Sequence, residues 1–210
     1  VPTITEKKAP KRGRPREFDR EAALCAAMEL FWSKGYTATS IAELCAVMGI
    51  NSPSLYAAFG SKEALYAAAL KQYGETYGPF IWGGFPTAPT AHDAIEELLF
   101  KSADVLPRPG KPLGCMVTLA SAGDEGHAEL KAIIVARRAE TLQRIHERLE
   151  RAVAEGELSR SVEPLSIARF YAGVQQAMSI HARDGATRED LRATARLAMK
   201  AWPTLTGASR

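Results

Sequence analysis

The residues best placed to do chemistry fall into two sets. The first is cationic: Lys7, Lys8, Lys11, Arg12, Arg14 and Arg16 stand against a single acid, Glu6, within the first sixteen residues. Pro10, Gly13 and Pro15 disfavour helix there, so residues 1–16 read as a flexible basic arm suited to phosphate. The second set centres on Cys115, which follows Pro112-Leu113-Gly114 and opens an apolar stretch, Cys115 to Ala122, that reads as a short helix. A thiol at a helix N-terminus has a lowered pKa and reacts as thiolate. The other reading of the same residue is a small buried hydrophobe. His92, His127, His146 and His181 lack close metal-ligand spacing. No Gly-rich phosphate loop, Cys-x-x-Cys pair or His/Asp/Glu constellation accompanies the cysteine. The sequence therefore reads as a non-enzyme with no cofactor and no metal. A thiol-dependent enzyme built on Cys115 is one alternative.

Residues 39–63 carry a different pattern. Thr39 or Ser40 can cap a helix whose apolar positions Ile41, Leu44, Val47 and Met48 recur at helical spacing. Gly49 ends it, since glycine enters the left-handed region without steric cost. Asn51 or Ser52 caps the next helix, and Pro53 suits its first turn. Leu55, Tyr56 and Phe59 are its expected inner face. Two compact helices joined by a glycine turn form a helix-turn-helix, a unit that sets its second helix into the DNA major groove.

The segment Phe18 to Leu70 resembles the DNA-binding domain of TetR/AcrR-family transcriptional regulators. The matching pieces are Ala-Met-Glu-Leu-Phe-Trp-Ser-Lys-Gly-Tyr (27–36), Thr-Ser-Ile-Ala-Glu-Leu-Cys (39–45), Met-Gly-Ile (48–50) and Ser-Leu-Tyr-Ala-Ala-Phe-Gly-Ser-Lys-Glu-Ala-Leu (54–65). The resemblance implies an all-α fold: an N-terminal three-helix helix-turn-helix domain and a larger C-terminal helical domain for ligand binding and dimerisation. It implies phosphate contacts from Tyr56 and Lys62, a double-stranded DNA operator, a small-molecule inducer and a homodimer through the last two helices. Ala57 and Ala58 depart from the family, which often places a larger or basic side chain there. Thr39 and Ser40 start the first reading helix, and Asn51, Ser52, Pro53 and Ser54 open the second, within reach of base edges. No arginine stands there, so the strong bidentate contact to guanine is missing. Arg12-Gly13-Arg14-Pro15, followed by Arg16, looks like the core of an AT-hook, a minor-groove peptide. A non-specific nucleoid-type protein driven by this arm is the second alternative.

The elements that must hold these residues follow from the punctuation. A first helix is expected from Arg20 to Lys34, capped by Asp19 and closed by Gly35, with Ala23, Leu24, Ala27, Met28, Phe31 and Trp32 inward. Ser61 caps a fourth helix that should end near Tyr73, ahead of Gly74, or fray towards Gly78. Residues 78–86 then read as a loop. Further helices are expected over His92 to Leu106, His127 to Glu155, Pro164 to Arg183 and Arg188 to Trp202. In the long one, Leu130, Ile134, Leu142, Ile145, Leu149 and Val153 face inward, and Arg138, Glu140, Arg144, Glu147, Arg148 and Arg151 face out. The small residues Ala168, Ala172, Gly173 and Ala177 would allow close approach of a second subunit. The expected domains are a basic arm at 1–16, a DNA-binding domain at 17–72 and a ligand-binding and dimerisation domain at 73–210.

The chain has 210 residues, 46% hydrophobic and 24% charged, with a net charge of +3. No apolar stretch approaches the roughly 18 residues a membrane helix needs, and the start reads as basic rather than as a leader. Three cysteines, Cys25, Cys45 and Cys115, argue against a disulfide framework. A cytoplasmic setting without membrane contact is expected. The family comparison implies an inducer site inside the second body. Its candidate residues are Trp82, Phe85, Phe100, Cys115, Met116, His146, Tyr171, Met178 and His181. Some family members sense electrophiles through a cysteine, which the Gly114-Cys115 pair would permit.

Overall fold

The computed structural model describes residues 19–121 and 127–207, and these are helical with no strand among them. The order is α1 (Arg20–Lys34), α2 (Ile41–Met48), α3 (Ser52–Phe59), α4 (Lys62–Trp82), a 3-10 turn at Phe85–Thr87, α5 (Ala91–Val105), α6 (Ala128–Ala154), α7 (Pro164–Arg183), α8 (Arg188–Lys200) and α9 (Trp202–Thr206). Arg12, Arg14 and Arg16, with the rest of the basic arm, lie outside the described residues.

Caps set the boundaries. Asp19 accepts the Glu21 and Ala22 N–H groups at the start of α1, and the Gly35 N–H closes onto Phe31. Ser40 and Glu43 form a capping box on α2, Asn51 caps α3 and Ser61 caps α4. Each satisfies an N–H that a helix start leaves without an intrahelical partner.

Two apolar clusters result. One joins α1, α2 and α3 to α4 as far as Tyr77, and takes in Met116, Leu130 and Ile134 from farther along the chain. The other joins the end of α4 to α5, the second half of α6, α7, α8 and α9. Helix α4 belongs to both, through Leu65, Tyr66, Leu70 and Tyr73 on one side and Ile81 on the other. A displacement of α4 is thus felt in both clusters.

The structure corrects several sequence expectations. Helix α4 neither ends near Tyr73 nor gives way to a loop at 78, but runs through Gly74, Gly78 and Pro79 to Trp82. Buried Tyr73, Tyr77 and Ile81 recur every four residues and pack, which outweighs the low helix propensity of two glycines and a proline. The stretch Cys115 to Ala122 is not a helix: residues 116–119 are turn, and residues 122–126 are outside the described set. Helix α8 stops at Lys200, one residue before the separate short α9. Arg148, expected outward, is 4% exposed. No described helix is long and apolar enough to cross a membrane.

Candidate nucleic-acid interface and regulatory cavity

The reading head is built from caps upward. Gly49 sits at φ 68°, ψ 30°, and its N–H returns to Ala46. Only a residue without Cβ adopts this left-handed conformation readily. The turn it makes sets α3 across α2, with Leu44, Met48, Leu55 and Phe59 buried between them. The opposite face of α3 presents Ser52, Pro53, Ser54, Tyr56 and Ala57 to solvent. Tyr56 is 47% exposed, so it does not belong to the inner face expected for it. Its position, one residue past buried Leu55 and three before buried Phe59, turns it to the outer edge of that face.

Three polar candidates are spent on the fold. Thr39 is fully buried and donates its hydroxyl to the Gly35 carbonyl at 2.7 Å, so its side chain is withdrawn from the surface. Ser40 Oγ accepts the Glu43 N–H and donates to the Glu43 carboxylate. Asn51 Oδ1 accepts the Ser54 N–H at 2.9 Å, which leaves its amide nitrogen as the group facing outward chemistry.

The start of α4 is a second polar cluster. Lys62 Nζ lies 4.2 Å from the centroid of the Tyr36 ring. The Tyr36 hydroxyl donates to Glu63 Oε1 at 2.6 Å. Burial, followed by this bond and the carboxylate charge, raises the Tyr36 pKa, and the bond from Tyr36 holds the Glu63 carboxyl below its usual range. The pair locks the first turn of α4 beneath Lys62, where free N–H groups and the helix dipole favour an anion. His127, at the entry to α6, stacks edge-on against Tyr36 at 4.6 Å and ties the body to this corner.

The body holds a cavity of about 290 Å³ between α4, α6 and α7. Tyr73, Tyr77, Trp82, Cys115, Arg138 and Gln175 are among the residues that line it. Of the ligand candidates, only Trp82 and Cys115 border this cavity, and Phe85 borders a second one with Trp82. The others lie away from these two cavities. Tyr171 and Met178 are buried core, and the Tyr171 hydroxyl donates to the Ala198 carbonyl. Burial raises the Tyr171 pKa to about 12. Met116 packs into the head cluster. Phe100 packs on the body core beneath Arg192. His146 faces Glu150, and His181 is exposed. Helical periodicity identifies an apolar face, but it does not separate a cavity wall from filled core.

The Gly114–Cys115 turn is the junction. Trp32 of α1 donates its indole N–H to the Gly114 carbonyl at 3.1 Å. Arg183 of α7 donates to the Leu113 carbonyl at 3.0 Å and to the Trp32 carbonyl at 2.9 Å. The Cys115 N–H donates to Ser179 Oγ at 2.7 Å. Arg138, read as outward from sequence, donates to the Val117, Thr118 and Ala120 carbonyls. Burial, followed by the neighbouring Cys115 thiol, raises the pKa of the Tyr73 hydroxyl well above the ordinary value. Gly114 sits at φ 75°, and a Cβ there would lie 2.6 Å from both Leu119 Cδ1 and the Ser179 carbonyl oxygen. Ser179 and Arg183 were not singled out from sequence, and Arg138 was placed facing outward, because each partner is a backbone carbonyl or N–H and leaves no side-chain pattern.

The model for "Bacterial regulatory proteins, tetR family" matches residues 23–69. The HTH-type transcriptional repressor ComR of Escherichia coli K12 is 32% identical over 92% of this chain and 93% of its own. The TetR family transcriptional regulator CifR, solved as a cysteine mutant complexed with 26-bp double-strand operator DNA, is 38% identical over 91% of this chain and 100% of that chain, with a TM-score of 0.85. The chain belongs to the TetR family. Its relatives also include the repressor BdcR of Escherichia coli K12, 32% identical over 96% of this chain and 98% of its own. As a TetR-family member it is a DNA-binding transcriptional regulator and not an enzyme, and the head and body above are that family's two parts.

Proposed function

We propose that this chain is a homodimeric cytoplasmic repressor, released from a palindromic operator when the cavity beside α4 fills or when Cys115 is modified. The observation that carries the reading is the Gly114–Cys115 turn. Cys115 borders the cavity, while the same turn is hydrogen-bonded to α1 of the reading head and to α7 of the body. An adduct on the thiol adds volume to the cavity wall beside Tyr73, and a shift of the turn takes Trp32 with it. Filling the cavity pushes on Tyr73, Tyr77 and Trp82, and hence on α4. Two reading helices must stand about 34–36 Å apart to enter successive major grooves, so a shift of a few ångströms loses one half-site. A ligand acts here only through unequal affinity for the two states.

Several residues would meet DNA. Ser52, Pro53, Ser54 and the Asn51 amide face the groove, Tyr56 and Lys62 the phosphates, and Arg12, Arg14 and Arg16 the adjacent minor groove. Ser40 would contribute through its helix terminus rather than its hydroxyl, which the capping box occupies. Dimerisation falls to the outer face of α7 and α8. Phe170, Gly173, Ala177 and Ile180 recur at helical spacing on α7, with Phe170 40% and Ile180 48% exposed, and Leu197 of α8 is 65% exposed. Ala168 and Ala172 point into the chain's own core and drop out of that face. The names of ComR and BdcR as repressors, and of CifR as a regulator solved on operator DNA, support the reading.

Fluorescence anisotropy on DNA from upstream of the chain's own gene, against a scrambled duplex across a salt series, tests it. The upstream duplex should bind more tightly, with two subunits or a multiple per site. N-ethylmaleimide should lower that affinity for the wild type and leave Cys115→Ser unchanged. Equal affinity for both duplexes that collapses with salt would instead favour a nucleoid-type protein.

A further inference from the structure

A second cavity of about 370 Å³ lies between the 3-10 turn and α6, lined by Trp82, Phe85, Pro86, Arg144, Glu147, Arg148 and Arg151. Three of its seven walls are arginines, at helical spacings of four and three residues along one face of α6. Arg148 is the unusual one. It is 4% exposed, and only its Nη2 has a partner, Glu157 Oε2 at 3.1 Å. Its Nε and Nη1 are buried without an acceptor. Glu157 is held from its other side, where Oε1 accepts the Ala91 N–H at the start of α5. A buried guanidinium with two idle donors is unfavourable unless something completes it.

The neighbours point to what that is. Arg144 lies over the Trp82 ring at 5.5 Å, and among the described residues neither it nor Arg151 enters an ion pair. Glu147, the one acid in the lining, is held by Gln143 Nε2 at 2.8 Å. Set against Glu147 and Glu157, the three guanidiniums leave a surplus of one positive charge, which matches a monoanion better than a phosphate dianion. Trp82 and Phe85, edge-to-face at 5.1 Å, and Pro86 supply flat apolar walls. We propose that this cavity binds a small organic carboxylate. Its oxygens complete Arg148 between Arg144 and Arg151, in charge-assisted hydrogen bonds, and its apolar body rests on Trp82, Phe85 and Pro86. The inference deepens the ligand-responsive reading and rests on it. Trp82 and Arg144 border both cavities, so an occupant reaches the end of α4.

The test is direct binding to the full chain without DNA, so that its failure is separate from failure of repression. Benzoate, phenylacetate, 2-naphthoate and octanoate are titrated calorimetrically at neutral pH beside their neutral amides and inorganic phosphate. At least one carboxylate should bind once per chain, with its amide about tenfold weaker or more. Arg148→Met combined with Glu157→Gln removes both charges at similar volume, and Arg151→Gln removes a surface charge alone. Each should weaken the carboxylate by about tenfold. Arg151→Gln keeps the test valid if the double variant fails to fold. No carboxylate bound at about 5 mM, amides binding equally, phosphate binding as tightly, or affinity unchanged in the arginine variants would each overturn the proposal.

Discussion

Single residues set how signal and reading surface are joined. Gly114 is held at positive φ with Leu119 and Ser179 closing on its missing Cβ. Gly114→Ala should therefore cost about 1–3 kcal/mol, seen as a lower midpoint in urea. It should also weaken operator binding, because the displaced carbonyl is the acceptor for Trp32. Glu43 makes a second, pH-dependent contribution. Lys34, followed by the capping bonds of Ser40, lowers its carboxyl from the ordinary 4.5 to about 2. A depressed carboxyl contributes stability that is present above its unfolded pKa and lost as pH falls through the folded one. The melting-temperature difference between wild type and Glu43→Gln should thus be constant above about pH 5, shrink as pH falls and vanish only below about pH 2. Single-residue roles were legible where a cap or a motif marked them, as with Ser61, Gly49 and Gly35. They were not legible for Thr39, whose hydroxyl turns inward to a carbonyl. Arg148 was missed because its charge argued for solvent, although it lies three residues past buried Ile145, on the buried face.

Whole helices were read best where local chemistry and packing agree. Helix α1 has the expected ends and the expected buried face, and α7 spans Pro164–Arg183 as expected, because an N-terminal cap or proline and a C-terminal glycine or turn punctuate both. Helix α4 was cut short because Gly74, Gly78 and Pro79 are local breakers, while the tyrosine ladder that overrides them is tertiary. This makes α4 improvable. A Cβ at Gly74 or Gly78 meets nothing within 4 Å, so Gly74→Ala should stabilise by about 0.5–1 kcal/mol. Thermal melting checks the sign, and a loss of stability would contradict α4 being helical through that turn. The stretch from Cys115 was misread as helix because its apolar residues pack as a turn held from outside, by Arg138 and Ser179. Among the described residues, no helix N-terminus therefore sits at Cys115. What remains for that cysteine is its place on a cavity wall and at the junction.

At the scale of the molecule, two apolar clusters share one helix and one hydrogen-bonded turn, so the reading head cannot move without the body. The all-α class and the head-and-body organisation were legible, because the helix-turn-helix spacing and the family resemblance carry them. The cavities were not, since they depend on which core positions remain unfilled. The exposed apolar face of α7 and α8 gives a prediction at this scale. Phe170→Glu combined with Ile180→Glu should leave the fold intact by circular dichroism, yield monomers in sedimentation velocity, and abolish operator binding at concentrations that saturate the wild type. The most direct test of the central claim is selection of bound sequences from a pool of random DNA duplexes, followed by sequencing of the survivors. A dimeric, cysteine-responsive regulator enriches one palindrome with two equivalent half-sites, whose binding is lost when Cys115 is alkylated. Survivors with no common sequence, or a single asymmetric site bound by one chain, would contradict it.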